Sequence, residues 1–372
     1  LLFLDNKNDK FPPKKKGGVI MDTNSQSSVL SRDTTVDILR GIAIFTMFAA
    51  NMAALVLAEP HPMWFRFYGT FAAPLFIFLS GMMVAFGATK KKQGFNYFLK
   101  RGFLIVIIGA LIDIGVYQIF PFTTFDVLYL IGISIPIIYL IFQSKSTPLQ
   151  IIIALAILGV APLLQKIWGY HAYPTEYYFD GTILPEDPSQ RGCLLQNWFI
   201  DGWFPVFPWL GFAVLGAIFS TWRAKLWEFN RFLFLMVVVL FLVTGGILFH
   251  LSPGELYSRE GYSELFYPVT YGFIFLALGV IGLLFYLVQR MSSLRIYLPL
   301  QMLGEVSLLM YILHQVIIRY IYGLYWPEQS MTIFIILYAV LAAALLLVAY
   351  GIRLLKKRWQ QAPYLIRLLL GS

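Results

Sequence analysis

The residues able to do chemistry in this chain gather around one hinge. An apolar run ends at Glu59-Pro60, His61 sits between Pro60 and Pro62, and a second apolar run follows to Gly87. Each proline fixes its own φ and turns its predecessor away from helix. The imidazole therefore stands on a stiff connection, and imidazole is the side chain most used for proton transfer. Asn51, in the run before it, can donate a hydrogen bond to a developing oxyanion. Asp113, Asp126, His314 and Arg319 interrupt or cap later apolar runs. Ionisable groups in such runs are costly and default to a functional role. Asp37 and Arg40 lie one helical turn apart at the start of the first run. Asn51 follows Asp37 by fourteen residues, so it falls near the same face, about 21 Å further along. Bland readings stand beside these. His171 and His250 read as interface residues, Asp37–Arg40 reads equally as a topological pair, and Asp113 reads equally as a helix contact. No spacing of zinc ligands occurs, so no metal is expected. Cys193 is the sole cysteine, which excludes an internal disulfide.

The elements that must position these residues are membrane helices. Of the 372 residues, 59% are hydrophobic and 13% charged, against about 25% charged in soluble domains. Apolar runs of about 20 residues recur, as a bilayer requires. The chain is expected to be all-α, a multi-pass bundle of about ten spans: 37–58, 69–88, 98–119, 124–143, 149–165, 203–221, 232–250, 268–289, 304–323 and 331–354. Lysines and arginines collect in alternate loops, with Lys90, Lys91, Lys92, Lys100 and Arg101 on one side. Most loop acids, among them Glu59, Glu176, Asp180, Asp187 and Glu264, fall on the other. The positive-inside rule then puts both termini in the cytoplasm. The net charge of +9 serves topology and does not point to nucleic acid. Residues 1–35 read as a disordered cytoplasmic tail without a cleavable signal. Residues 36–355 form the membrane domain, and 356–372 a cytoplasmic carboxyl-terminal tail. The extracytoplasmic loop 166–202 is long and rich in tyrosine, which argues for function.

Two functions suit such a chain. A transporter or flippase would place its site near the midplane on broken helices. Here the polar residues lie outward and an asparagine–histidine pair dominates, which favours an enzyme.

Several motifs carry a resemblance. Asp37-Ile38-Leu39-Arg40-Gly41, Met47 through Asn51, His61, and Ala73-Pro74-Leu75-Phe76-Ile77-Phe78-Leu79-Ser80-Gly81 come in order. Phe125-Asp126-Val127-Leu128-Tyr129, Phe207-Pro208-Trp209-Leu210-Gly211 and Gly304-Glu305-Val306-Ser307 through Tyr311 to His314 follow. Over roughly 35–350 the chain resembles the heparan-α-glucosaminide N-acetyltransferase family and its bacterial relatives. The amino-terminal motifs are the most specific. The resemblance implies acetyl transfer from cytoplasmic acetyl-CoA to a sugar or glycan amine, or hydroxyl, across the membrane. It implies His61 as catalytic histidine and Asn51 as its helix asparagine. It also implies a homodimer among membrane lipids, in a bacterial cytoplasmic membrane. Where the family has Gln-Arg, this chain reads Leu128-Tyr129, and the large luminal domain of the human enzyme is missing. The expected site follows: His61 as general base or acetyl acceptor, Asn51 as oxyanion donor, and Asp126 or Asp113 orienting the imidazole. His314 and Asp180 are secondary candidates. Asp37, Arg40, Lys100 and Arg101 form the expected CoA mouth, since guanidinium and ammonium groups suit phosphates.

Overall fold

The computed structural model describes residues 33–251, 259, 262–358 and 363–371. Most of the tail expected at 1–35 lies outside the described residues. The chain from Thr34 onward is helical, with a single two-stranded hairpin among the described residues. The first half runs α1 (Thr34–Val56), α2 (Met63–Thr70), α3 (Ala72–Thr89), α4 (Phe95–Ile112), α5 (Val127–Gln143) and α6 (Thr147–Trp168). The 166–202 loop carries β1 (Glu176–Tyr177), β2 (Ile183–Leu184) and a short α7 (Leu194–Gln196). Then come α8 (Val206–Phe229), α9 (Arg231–Leu251), α10 (Tyr271–Met291), α11 (Leu298–Glu305), α12 (Ser307–Ile317), α13 (Gly323–Tyr325), α14 (Met331–Arg358) and α15 (Tyr364–Leu370).

Every segment expected to span is helical. Among the described residues, eight helical stretches are long and apolar enough to cross a membrane. Val127–Gln143 is a shorter apolar helix, and α4 carries Lys100 and Arg101. The chain is an integral membrane protein. Its periphery shows why: α9 buries only Val238 and Gly245 and turns Phe232, Leu233, Met236 and Leu240 outward. Such a face is stable only against lipid, with the backbone bonded inside the helix. The segment expected as a carboxyl-terminal tail contains α15, which packs on α12 and buries Leu368.

The core is built on α1, whose side chains are buried almost all round, as expected of a central helix. It packs on α2, α3, α10, α11, α12 and α14. Its crossing with α11 is close because both helices offer glycine: a Cβ on Gly304 would overlap the backbone of Asp37, and one on Gly41 the backbone of Leu300. Small residues let membrane helices approach in this way. α3 meets α8 by the same means at Gly81 and Gly216.

The connections at the end of the bundle that carries the 166–202 loop are folded, not slack. Residues 113–126 begin as a π-helical turn, Asp113–Tyr117, and then hold Gln118, Phe122 and Phe125 at positive φ. Bulky residues rarely adopt that region. Phe125 is kept there by burial and by rings of Tyr129 and Trp198 packed on it. The 166–202 loop is pinned by Arg259, whose guanidinium lies over the rings of Trp203 and Tyr267, 4.6 and 4.4 Å from their centroids. Arg259 also donates to the carbonyls of Ala172, Asp201 and Gly202. His171 Nδ1 lies 2.7 Å from Asp201 Oδ2. Burial raises the Asp201 pKa, and the His171 bond opposes that rise.

Candidate active site

Two helical stripes face each other across a cavity of about 210 Å³ at the end of the bundle that carries the 166–202 loop. On α1 the stripe is Met47, Ala50, Asn51, Ala54 and Leu55; on α12 and the π-helical turn after it, Tyr311, Gln315, Ile318 and Arg319. Both follow the i, i+3, i+4, i+7 spacing of one helix face. The remaining walls bring Asp113 and Asp126 from either end of the 113–126 connection, Glu176 from the 166–202 loop, Trp203 just after it, and Glu264 from the connection before α10. π-helical turns, which recur at functional sites, place Asp113 and Arg319.

The cavity gathers three of the residues expected from sequence: Asn51, Asp113 and Asp126. Asp126 caps α5 by accepting from Val127 N at 2.6 Å, and Tyr311 Oη donates to its other oxygen at 3.0 Å. The buried Asp113 accepts a short hydrogen bond from Tyr129 Oη. Tyr129 thus holds an expected site carboxylate. Glu176 accepts from Tyr178 Oη at 2.6 Å and Trp203 Nε1 at 3.1 Å.

His314 lies directly behind Asn51. Asn51 Nδ2 is 2.9 Å from His314 Nε2, and His314 Nδ1 is 2.9 Å from the Met310 carbonyl. A carbonyl only accepts, so Nδ1 carries the proton and Nε2 accepts from the Asn51 amide. The ring is fully buried and packs on Phe48 and Tyr311.

His61 stands elsewhere. Its imidazole, half-buried on the connection between α1 and α2, lies 3.2 Å from the Leu57 carbonyl and edge-on to Phe65. It does not line the cavity. The expected pairing of Asn51 with a histidine exists, but the partner is His314, which is 263 residues away in sequence. The reason is axial distance: the ten residues from Asn51 to His61 include the rest of α1, about 1.5 Å per residue, and then a connection bent at Glu59 and Pro60.

The remaining candidates are placed apart from the cavity. Asp180, exposed, accepts from Thr182 N at 2.9 Å and closes the turn between β1 and β2; that bond lowers its pKa. At the opposite end of the bundle Arg40 Nη1 lies 3.4 Å from Asp37 Oδ1, and Arg101 donates to Tyr97 Oη at 3.5 Å. Lys100 is exposed on α4, and Tyr364 of α15 lies beside Arg101.

Sequence reasoning passed over Glu264, which it counted only as a loop acid. It is 7% exposed and lines the cavity. Burial raises its pKa to about 7, against opposing pulls from nearby peptide groups and Arg66. Nothing local distinguishes it from other loop acids; its burial is tertiary.

The arrangement offers hydrogen-bond donors for an oxyanion, carboxylates for an incoming nucleophile, and aromatic walls. A family model for the catalytic region of heparan-alpha-glucosaminide N-acetyltransferase matches residues 32–234, over half of the chain. That span includes Asn51, His61, Asp113 and Asp126 and ends before Glu264 and His314. No curated protein matches the chain. The chain belongs to the heparan-alpha-glucosaminide N-acetyltransferase catalytic family and is, on that ground, a membrane acetyltransferase.

Proposed function

We propose that the protein transfers the acetyl group of cytoplasmic acetyl-CoA to an amino or hydroxyl group of an extracytoplasmic sugar, and that transfer occurs in the cavity beside Asn51. The observation that carries this reading is the course of α1. One end bears Arg40 beside Asp37, and the other brings Asn51 to a cavity lined by carboxylates and aromatic rings. CoA phosphates suit Arg40, Lys100 and Arg101 at the basic end, and the slender pantetheine arm carries the thioester outward along the bundle.

In this reading the Asn51 amide, oriented by His314, donates to the thioester oxygen as charge develops there. Carboxylates and rings of the cavity seat the acceptor. His61 carries the proton or the acetyl group, the role the family resemblance implies. Its hydrogen bond to the Leu57 carbonyl is worth about 1 kcal/mol net, which a substrate contact can replace.

The test is acetyl transfer from labelled acetyl-CoA to glucosamine by the purified protein, with His61→Ala compared. The variant is expected to bind acetyl-CoA and to lose about 10²–10⁴-fold in turnover. Near-wild-type turnover removes His61 from the chemistry. A wild-type protein that neither binds acetyl-CoA nor acetylates an amine or hydroxyl sugar overturns the function.

A further inference from the structure

Four carboxylates line the cavity, and three are occupied by the protein itself. Asp113 holds the Tyr129 hydroxyl, Asp126 the Tyr311 hydroxyl, and Glu176 the Tyr178 hydroxyl and Trp203 indole. Glu264 differs. Its Oε2 is buried and has no hydrogen-bond partner among the described residues, although the peptide groups of Ser263 and Glu264 and the charge of Arg66 pull on the carboxyl. Arg66 on α2 makes no hydrogen bond to it: Arg66 Nε donates to the Ser263 carbonyl at 3.2 Å, and Arg66 Nη2 has no partner among the described residues. A buried acceptor without a donor is costly, and a donor arriving through the cavity would satisfy it.

Resting on the proposed acetyl transfer, we infer that Glu264 holds the acceptor as an ammonium group and takes its proton before attack. A carboxylate accepts and cannot donate, so it selects an ammonium, which only donates. The surroundings agree. Trp203 and Tyr267 already carry the Arg259 guanidinium, but Tyr262 also lines the cavity, and an aromatic face favours a cation. The step balances. The R–NH3+ group gives one proton to the Glu264 carboxylate, and the free amine attacks the acetyl carbon. The carbon–sulfur bond then breaks, and the second nitrogen proton passes by way of His61 to the departing thiolate, giving the acetamide and CoA-SH. Glu264 afterwards releases its proton through the cavity.

The charged and titratable groups around Glu264 are Arg66 from α2 and Tyr262 and Tyr267 from its own connection. Asp113, Asp126, Glu176 and Arg319 lie in the other cavity walls. Burial holds the carboxyl at about pKa 7. The active form is the carboxylate, so activity rises with pH through that value, and a base poised near the working pH is the efficient one.

The experiment is the pH–rate profile of acetyl transfer to glucosamine for wild type, Glu264→Gln and Glu264→Asp, with acetyl-CoA binding and Tm measured alongside. Glu264→Gln preserves shape. It is expected to lose about 10²–10⁴-fold in kcat/KM for the amine, to lose the limb near pH 7, and to bind acetyl-CoA as wild type does. Glu264→Asp is expected to recover part of the rate. If the wild type is active and Glu264→Gln keeps its rate and its pH profile, the inference falls while the acetyltransferase reading stands. A change in Tm alone, with the rate and limb intact, makes Glu264 a structural partner of Arg66 and equally overturns it. A wild-type protein inactive toward glucosamine but active toward glucose overturns the ammonium assignment.

Discussion

His314→Ala should separate an orienting histidine from a reacting one. The ring fixes the Asn51 carboxamide because its bare Nε2 attracts the amide and repels the carbonyl oxygen. A net hydrogen bond is worth about 1 kcal/mol, so removing the ring should lower the population of the competent carboxamide, and with it kcat, by about fivefold. Removing the amide itself by Asn51→Ala should cost about 10²–10³-fold. Once the amide is gone the ring has nothing to orient. The double variant should therefore be no slower than Asn51→Ala, which corresponds to a coupling energy of about 1 kcal/mol. The assay is kcat for acetyl transfer to glucosamine at saturating acetyl-CoA in the four proteins, with the KM for acetyl-CoA unchanged in His314→Ala. Two results refute the reasoning. Losses that multiply in the double variant would mean that the residues act independently. A His314→Ala loss as deep as that of Asn51→Ala would mean that the ring meets the reacting atoms itself.

Arg40→Ala and Arg101→Ala should raise the KM for acetyl-CoA more than they lower kcat, as lost uniform binding does; an unchanged KM in both moves the phosphates elsewhere. Gly304→Ala should force α1 and α11 apart where its Cβ meets the Asp37 backbone, at a cost of about 1–3 kcal/mol. Thermal unfolding in detergent reads this directly, and a Tm equal to wild type would contradict the close crossing.

Much of this molecule is local and therefore legible in the sequence. Apolar runs of bilayer length mark the helices, because a bilayer core admits only backbones that bond to themselves. The separation of basic and acidic loops marks the two ends of the bundle. The fourteen-residue step from Asp37 to Asn51 puts the two near one face of α1, because helix periodicity is fixed by chain geometry. Which stripe meets which is a different matter, decided by packing at crossings such as Gly41 with Gly304. That packing seats α12 against α1 and gives Asn51 its bond to His314, where sequence proximity had pointed to His61. It also buries Glu264, indistinguishable from its neighbours as a loop acid, in the cavity wall with one oxygen unpartnered. Burial and partnership belong to surfaces that distant segments make together, and residue types and spacing within one segment do not encode them.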